Sequence, residues 1–193
     1  MIEKRYALIT GASSGLGAEF AQQLAALGHP LILVARREEK LAALASTLHE
    51  QYSVAVEVIA ADLSQPDTPQ KIATLCSASG WQVEWLINNA GVAGPDLLKD
   101  RDWSQQHAFY QLMMLSVAEM CHLFIPSMVE REQGRVINIA SVAARVPRSG
   151  GCNYGPAKAY VVALSEELHL SVAGQGVTVT ALCPGSTRPQ FPE

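Results

Sequence analysis

Short apolar runs rich in β-branched residues alternate along the whole chain with longer segments of helical period. The six short runs have the length of strands, and between them apolar residues recur every three or four positions, as on one face of a helix. The predicted strands cover residues 5–10, 31–35, 54–60, 83–87, 135–139 and 177–182. The predicted helices cover residues 15–28, 37–51, 66–79, 102–131 and 153–173.

The predicted strands are almost continuously apolar, which indicates a sheet covered by helices on both faces. Repeated strand–helix alternation with short connections predicts βαβ units with right-handed crossovers, and therefore parallel strands. No internal repeat or linker interrupts the pattern. Residues 1–193 are therefore predicted to form a single doubly wound α/β domain.

The composition restricts the class of protein. Apolar residues make up 49% and charged residues 17% of the chain, which is typical of a globular domain. The net charge of −4 argues against a nucleic-acid partner, and no apolar run approaches the ~20 residues that span a bilayer. With no signal peptide in the sequence, we expect a cytoplasmic protein without a membrane partner. The cysteines are widely separated and lack metal-ligand spacing, so we expect reduced thiols and no metal site: Cys76, Cys121, Cys152 and Cys183.

The first predicted strand ends in a glycine-rich turn, Thr-Gly-Ala-Ser-Ser-Gly-Leu-Gly over residues 10–17, and the first helix begins inside it. Glycines there permit a sharp turn and let backbone N–H groups at a helix N-terminus approach a pyrophosphate. The residues expected to hold a dinucleotide are Gly11, Ser13, Ser14, Gly15, Leu16 and Gly17. The alternative is an ordinary glycine-rich turn, but the strand before it and the helix after it favour a dinucleotide.

Three motifs in sequence order resemble the classical short-chain dehydrogenase/reductase family. They are Gly-x-x-x-Gly-x-Gly from Gly11 to Gly17, the tetrapeptide Asn-Asn-Ala-Gly over residues 88–91, and Tyr154-x-x-x-Lys158. The resemblance extends from residue 5 to about residue 188. It implies a Rossmann-like domain with strand order 3-2-1-4-5-6, oxidoreductase activity and a nicotinamide cofactor.

The end of the second predicted strand favours NADP(H) as that cofactor. NAD-binding domains place an acidic residue here to bind the adenosine ribose, whereas this chain has Ala35 followed by Arg36 and Arg37. A guanidinium can bind a 2′-phosphate through two parallel N–H bonds. We therefore expect Arg36, assisted by Arg37 and Ser13, to select NADP(H). A solvated basic pair at the start of a helix is the alternative.

The resemblance also implies further contacts to the cofactor. Asp62 would bind the adenine amino group and Leu63 would contribute its backbone, whereas Asn88 would tie neighbouring strands together. Thr187 would serve as a substitute contact to the nicotinamide carboxamide, because Pro189 stands where the family often has threonine. The remaining residues implied to line the cofactor are Asn89, Ala90, Gly91, Tyr154, Lys158, Pro184 and Gly185.

Tyr154 and Lys158 are four residues apart in a predicted helix, so their side chains share one face. A free phenol has a pKa of about 10, and a neighbouring ammonium would lower it towards the neutral range. Ser141, after the fifth strand, could hold a carbonyl oxygen during hydride transfer. The family pattern implies that Ser141 orients the substrate, Tyr154 is the acid/base and Lys158 lowers the phenol pKa and binds the nicotinamide ribose. The alternative is a capping serine and a solvated Tyr–Lys pair.

Two features depart from the family's pattern. Met113 stands where the family usually has an asparagine that helps to hold a relay water, a role that methionine cannot fill. Either Ser116 or water rebuilds the relay, or catalysis is slower, or the protein does not turn over. The family also continues beyond the position of Glu193 with a substrate-covering loop, helices and a seventh strand. We therefore expect an incomplete chain whose sixth strand is an exposed edge.

The sequence favours an NADP(H)-dependent reductase acting on a small-molecule ketone or aldehyde, or on the alcohol in the reverse direction. Met113 and the absent seventh strand support an alternative, a non-catalytic NADP(H)-binding or scaffold protein. An epimerase or dehydratase on the same scaffold is less favoured because the chain is short. In the family, the helices corresponding to 102–131 and 153–173 pair across a dimer axis, so we expect a homodimer or homotetramer.

Overall fold

The computed structural model of the protein describes residues 5–147 and 152–185. Six parallel strands form one sheet in the order β3-β2-β1-β4-β5-β6, which confirms the predicted Rossmann-like α/β topology. The strands are β1 (Arg5–Thr10), β2 (Leu31–Ala35), β3 (Val56–Ala60), β4 (Gln82–Asn88), β5 (Gly134–Ile139) and β6 (Val177–Leu182). The helices are α1 (Gly15–Ala26), α2 (Glu38–Tyr52), α3 (Thr68–Ala78), α4 (Trp103–Tyr110), α5 (Ser116–Glu130) and α6 (Tyr154–Ser171).

Strands β1, β2 and β6 begin and end at the predicted residues, whereas β3 begins two residues later than predicted, at Val56. Helix α2 ends at Tyr52, and the next residue, Ser53, takes the left-handed conformation with φ of 56°. The chain then reverses direction, and Ala55 accepts a hydrogen bond from the Leu31 N–H (2.8 Å) before the regular ladder begins. The apolar character of Val54 reflects its burial in the core below this turn rather than a place in the strand.

The predicted helix 102–131 is divided in the structure. A π-helical turn, Gln111–Leu115, separates α4 from α5. A π turn inserts one extra residue into the helical repeat, so the face that α4 presents to its neighbours is rotated relative to that of α5. By length and composition alone, the segment Trp103–Glu130 could cross a membrane. The sequence-based statement that no apolar stretch approaches that length is therefore too strong, although nearly half of the segment's most apolar window is buried.

Helices cover the sheet on both faces, as the apolar strands predict. On one face Leu8 and Leu86 pack in a core cluster with Met120 and Phe124 of α5. On the other face β1 and β2 pack in a second cluster with α1 and α2, where Ile9, Leu33 and Leu41 are fully buried. Complete burial of an aliphatic side chain contributes roughly 1.5–3 kcal/mol, so these two layers stabilise the sheet. Because all six strands are parallel, their carboxyl ends lie at one edge.

A buried polar chain connects the centre of the sheet to α6. Asn88 donates to the Asn138 side chain on the neighbouring strand (2.8 Å), and Asn138 donates to Ser165 of α6 (3.0 Å). Ser165 in turn donates to the Val161 carbonyl (2.6 Å). This confirms that Asn88 ties neighbouring strands together. Because a buried amide without partners would be costly, the chain fixes the position of α6 on the sheet.

Candidate active site

A cleft of about 1300 Å³ opens at the carboxyl edge of the sheet. Most of the side chains predicted from the sequence to form a site line this cleft. They are Gly11, Ser13, Ser14, Leu16, Arg36, Arg37, Asp62, Leu63, Asn89, Ala90, Gly91, Ser141, Tyr154, Lys158 and Gly185. Gly15, Gly17 and Pro184 are not among the lining residues. The predicted contact Thr187, with Pro189, lies outside the described residues.

The glycine-rich turn brings α1 close to the ends of β1 and β4. Gly11 has φ of +66°, and a Cβ atom there would lie 2.8 Å from the Ala90 Cα. A Cβ atom at Gly17 would collide with the Gly11 carbonyl and lie 2.6 Å from the Asn89 amide nitrogen. Both positions therefore require glycine, Gly11 for its backbone conformation and Gly17 for the close approach. The turn leaves the N-terminus of α1 facing the cleft, where it can receive phosphate groups.

Thr10 is a connecting residue that sequence reasoning missed. Its hydroxyl accepts hydrogen bonds from the Asn89 N–H (2.9 Å) and the Ala90 N–H (3.0 Å) and donates to the Ile87 carbonyl (3.3 Å). The Asn89 side chain returns a bond to the Thr10 carbonyl (2.9 Å). The sequence feature that indicates this role is a hydroxyl side chain at the end of an otherwise apolar, buried strand. Thr10 holds the turn and the segment after β4 together as one wall of the cleft.

Arg37, rather than Arg36, makes the hydrogen bonds at the end of β2. Its Nη2 donates to the Ser13 Oγ and to the Ser14 Oγ (both 2.9 Å). The predicted contact of Arg36 to a 2′-phosphate stays a prediction, and the Arg36 side chain also lines the cleft. Arg37 reaches the two serines because it directly precedes α2, where its side chain turns back over the glycine-rich turn. The two guanidinium groups and the serine hydroxyls thus form a cationic, donor-rich end of the cleft.

Asp62 stands at the same end of the cleft, after β3. Its Oδ1 accepts hydrogen bonds from the Ser64 N–H (3.0 Å) and the Ser64 hydroxyl (2.8 Å). These bonds orient the carboxylate at the cleft wall, where it can accept from an amino group as the sequence resemblance implies. Leu63, next to it, is buried and contributes an apolar surface.

Lys158 is buried at the other end of the cleft, one helical turn after Tyr154. Its Nζ donates to the Ile139 carbonyl at the end of β5 (2.5 Å) and lies 5.7 Å from the centre of the Tyr154 ring. The residue is only 5% exposed, so a solvated Tyr–Lys pair is excluded. Burial lowers the pKa of Lys158 from 10.5 to about 8, because the charged ammonium loses hydration.

Ser141 lies in the same cleft at the end of β5 and has a structural role as well. Its Oγ accepts a hydrogen bond from the Ala143 N–H (3.1 Å) and caps the short helical turn Val142–Ala144. The structure therefore confirms that Ser141 is a capping serine, but this role leaves room for a second one. The hydroxyl can still donate its proton into the cleft, because the cap uses only an oxygen lone pair.

Met113 is nearly fully buried in the π turn and packs in a cluster with Phe109 and Ala157, against which Tyr154 also packs. Its sulfur accepts a long hydrogen bond from the Val92 N–H (3.4 Å). Ser116 does not line the cleft, and its hydroxyl donates to the Leu112 carbonyl (2.8 Å). Ser116 is therefore not placed to rebuild the relay that the missing asparagine would support.

Within residues 5–147 and 152–185, no cluster of three or more His, Cys, Asp or Glu side chains is arranged to hold a metal ion. All four cysteines are free thiols, and Cys152 is exposed in the cleft.

A parallel sheet of this order, with a glycine-rich turn and a helix N-terminus at its carboxyl edge, defines a dinucleotide-binding protein of the Rossmann type. The family model described as short chain dehydrogenase matches residues 5–192. The chain therefore belongs to the short-chain dehydrogenase family and is an oxidoreductase by family.

Similar proteins and solved structures agree with the assignment to this family. A sulfoacetaldehyde reductase of Chromohalobacter salexigens is 34% identical over 185 residues, which cover 95% of this chain and 72% of that protein. A solved short-chain dehydrogenase from Sphingobium yanoikuyae, in complex with NADPH, has a TM-score of 0.89 and 34% identity, covering 96% of this chain and 72% of the other. A bulky-bulky ketone specific alcohol dehydrogenase from Comamonas testosteroni has a TM-score of 0.89 and 34% identity, covering 95% and 73%.

Proposed function

We propose that the protein is an NADPH-dependent carbonyl reductase that reduces a ketone or aldehyde to an alcohol, and can oxidise the alcohol in the reverse direction. The observation that carries the proposal is the burial of Lys158 beside the Tyr154 ring, in the cleft that also contains the glycine-rich turn. The names of the relatives support the reaction class: one is a reductase of an aldehyde, another an alcohol dehydrogenase of ketones.

The lining of the cleft fits a phosphorylated dinucleotide. A side chain at Gly17 would collide with the Gly11 carbonyl, so glycine there lets α1 pack closely beneath the turn, and the N-terminus of α1 that faces the cleft can bind a pyrophosphate. Arg36 and Arg37 lie at the end where an adenosine 2′-phosphate would sit, and the relative solved with NADPH supports this choice of cofactor. Bound NADPH supplies the hydride. The protein side chains then have to bind the carbonyl oxygen and deliver a proton to it.

The residues at the other end of the cleft can perform those two tasks. Ser141 donates a hydrogen bond to the carbonyl oxygen and so stabilises the negative charge that develops there. Tyr154 donates its phenolic proton to the same oxygen as the alcohol forms. Lys158 holds a positive charge behind the phenol ring, which stabilises the phenolate left after proton transfer. The buried position of Lys158 strengthens this interaction, because little water screens it.

Turnover on a panel of carbonyl compounds tests the proposal. We expect the purified protein to oxidise NADPH in the presence of at least one ketone or aldehyde, measured by the loss of reduced-nicotinamide absorbance. The panel should contain sulfoacetaldehyde as well as bulky ketones, because the names of the relatives include both. Tight NADPH binding without turnover on the whole panel would instead favour a non-catalytic NADP(H)-binding protein, the alternative to which Met113 points.

Removing both arginines at the end of β2 is expected to weaken NADPH recognition selectively. The double variant Arg36→Ala/Arg37→Ala should raise the KM for NADPH by about 10- to 100-fold, because a hydrogen bond to a charged group contributes about 1.5–3 kcal/mol. The KM for NADH, which lacks the phosphate, should change much less. Lys40→Ala, an exposed cation on α2 outside the cleft, is the matched control. A wild-type preference for NADH would contradict the assignment.

We also propose a cytoplasmic homo-oligomer. Large apolar side chains stay exposed on the elements expected to pair, with Trp103 62% and Leu170 72% exposed. Sedimentation analysis should give a mass at least twice that of the chain, and Trp103→Ser should shift the protein towards the monomer because it removes apolar area from the interface. Leu27→Ser, an equally exposed apolar residue at the end of α1, is the control. A monomeric wild type would contradict this proposal.

A further inference from the structure

The two residues before Tyr154 connect the start of α6 to other elements of the fold. The Cys152 thiol donates a hydrogen bond to the Gly94 carbonyl (3.4 Å) in the loop after β4. The same sulfur accepts a hydrogen bond from the Tyr154 N–H (3.4 Å). Asn153 donates to the Tyr110 hydroxyl of α4 (2.6 Å). The N-terminus of α6 is therefore held from two sides.

The first N–H groups of a helix have no partner within the helix and need one from outside. Asn153 occupies the N-cap position of α6, yet its side chain makes no capping hydrogen bond and turns to α4 instead. The Cys152 sulfur takes the place of a cap at the Tyr154 N–H. The backbone position of Tyr154 thus depends on a thiol rather than on an ordinary capping side chain.

The loop after β4 is shaped to receive this thiol. A Cβ atom at Gly94 would lie 2.8 Å from the Phe109 ring and 3.2 Å from the Cys152 sulfur. A side chain at Gly94 would therefore crowd both the Phe109 ring and the Cys152 thiol. An antiparallel bridge between Asp96 and Cys152 adds a backbone connection between the same two segments.

We propose that Cys152 and Asn153 are positioning residues that fix Tyr154 for proton transfer, by tying the start of α6 to Gly94 and Tyr110. The inference rests on the proposed reductase function. Neither residue needs to touch the reacting atoms. Because a displacement of about 1 Å can reduce turnover a hundredfold, two hydrogen bonds at the residue that carries the phenol can control the rate. The same two bonds keep the phenol ring at its distance from Lys158.

Steady-state kinetics of matched variants test the proposal. Cys152→Ala should lower kcat by about tenfold and leave the KM for NADPH within about twofold, because the cofactor end of the cleft is unchanged. Cys152→Ser, which keeps a donor and an acceptor, should restore most of the activity. Asn153→Ala and Gly94→Ala should resemble Cys152→Ala. Ser171→Ala removes a side-chain bond to the Glu167 carbonyl at the far end of α6 and should leave kcat unchanged.

A second measurement does not depend on turnover. Crystal structures of the wild type, Cys152→Ala and Cys152→Ser give the distance from the Lys158 Nζ to the centre of the Tyr154 ring, which is 5.7 Å in the wild type. Loss of the thiol should change this distance by about 1 Å, and Cys152→Ser should reverse the change. A purely structural role of the thiol would lower thermal stability without moving the ring.

The outcomes separate this inference from the proposed function. If the wild type turns over no carbonyl compound, the reductase proposal fails, and the position of the Tyr154 ring in Cys152→Ala alone decides whether Cys152 positions Tyr154. If the wild type is active and Cys152→Ala keeps its kcat and the position of the Tyr154 ring, the positioning role is wrong. It is equally wrong if Cys152→Ser loses as much activity as Cys152→Ala, since the hydrogen bonds would then not matter.

Discussion

Tyr154→Phe is expected to lower kcat by about a thousandfold while the dissociation constant for NADPH changes by less than about twofold. The substitution removes a single oxygen atom, and a positioned general acid contributes typically about 10²–10⁴ to the rate. The phenylalanine ring keeps the packing against Phe109, Met113 and Ala157, so the cleft should retain its shape. Steady-state turnover and a fluorescence titration with NADPH measure the two quantities.

Tyr160→Phe provides the matched control for this variant. Tyr160 lies on the same helix, is half-buried and packs in a different cluster away from the cleft. Its hydroxyl should therefore be dispensable, and turnover should stay within about twofold of wild type. If Tyr154→Phe keeps more than a tenth of the wild-type kcat, another group delivers the proton and the role of Tyr154 is wrong.

The sheet could be predicted from the sequence because its strands are defined by local patterns. The central strands β1, β2 and β4 are short apolar runs covered by helices on both faces, so the local pattern alone identifies them. The edge strand β6 shows the alternating pattern instead, with Thr178 and Thr180 exposed. The glycine-rich turn was equally visible, since Gly11 and Gly17 stand where only glycine fits. The order of the motifs along the chain placed Ser141, Tyr154 and Lys158 at one edge of the sheet.

The details that sequence reasoning missed are contacts between segments distant in the chain. The bond of Thr10 to Asn89 joins two strand ends, and the bond of Cys152 to Gly94 joins two loops. The sequence around Thr10 does not indicate that it contacts Asn89, and the sequence around Cys152 does not indicate that it contacts Gly94. The π turn over residues 111–115 escaped for another reason: an inserted residue shifts the helical phase by less than one turn, and the apolar composition on both sides hides the shift.

The charge on Lys158 is expected to be unfavourable for folding at neutral pH. Its pKa in the folded protein is about 8, below the value of 10.5 for a free lysine, because burial removes water from the ammonium. Between these two values the unfolded chain binds more protons than the folded protein, so this contribution to stability increases as the pH rises. Relative to a variant without the charge, the free energy of unfolding should increase by about 3 kcal/mol from pH 7 to pH 11.

The Lys158→Met variant tests both the catalytic role of Lys158 and the pH dependence of its contribution to stability. It should lower kcat by at least about a hundredfold, because the phenolate left by proton transfer loses its ammonium. Urea unfolding of wild type and variant at several pH values should show the stability difference changing in favour of wild type as the pH rises. The buried thiols Cys76 and Cys121, whose pKa values burial raises to about 11, titrate in both proteins and cancel in the difference.

Lys71→Met, an exposed lysine on α3 outside the cleft, should change neither turnover nor the pH dependence of stability. Loss of the bond from Lys158 to the Ile139 carbonyl also weakens the fold of the variant, so the test is the change of the stability difference with pH and not its size at one pH. A stability difference that stays flat between pH 7 and pH 11 would show that Lys158 is not desolvated in the folded protein. If, in addition, Lys158→Met kept the full turnover of wild type, the proposed role of Lys158 as a buried cation behind the phenol would be wrong.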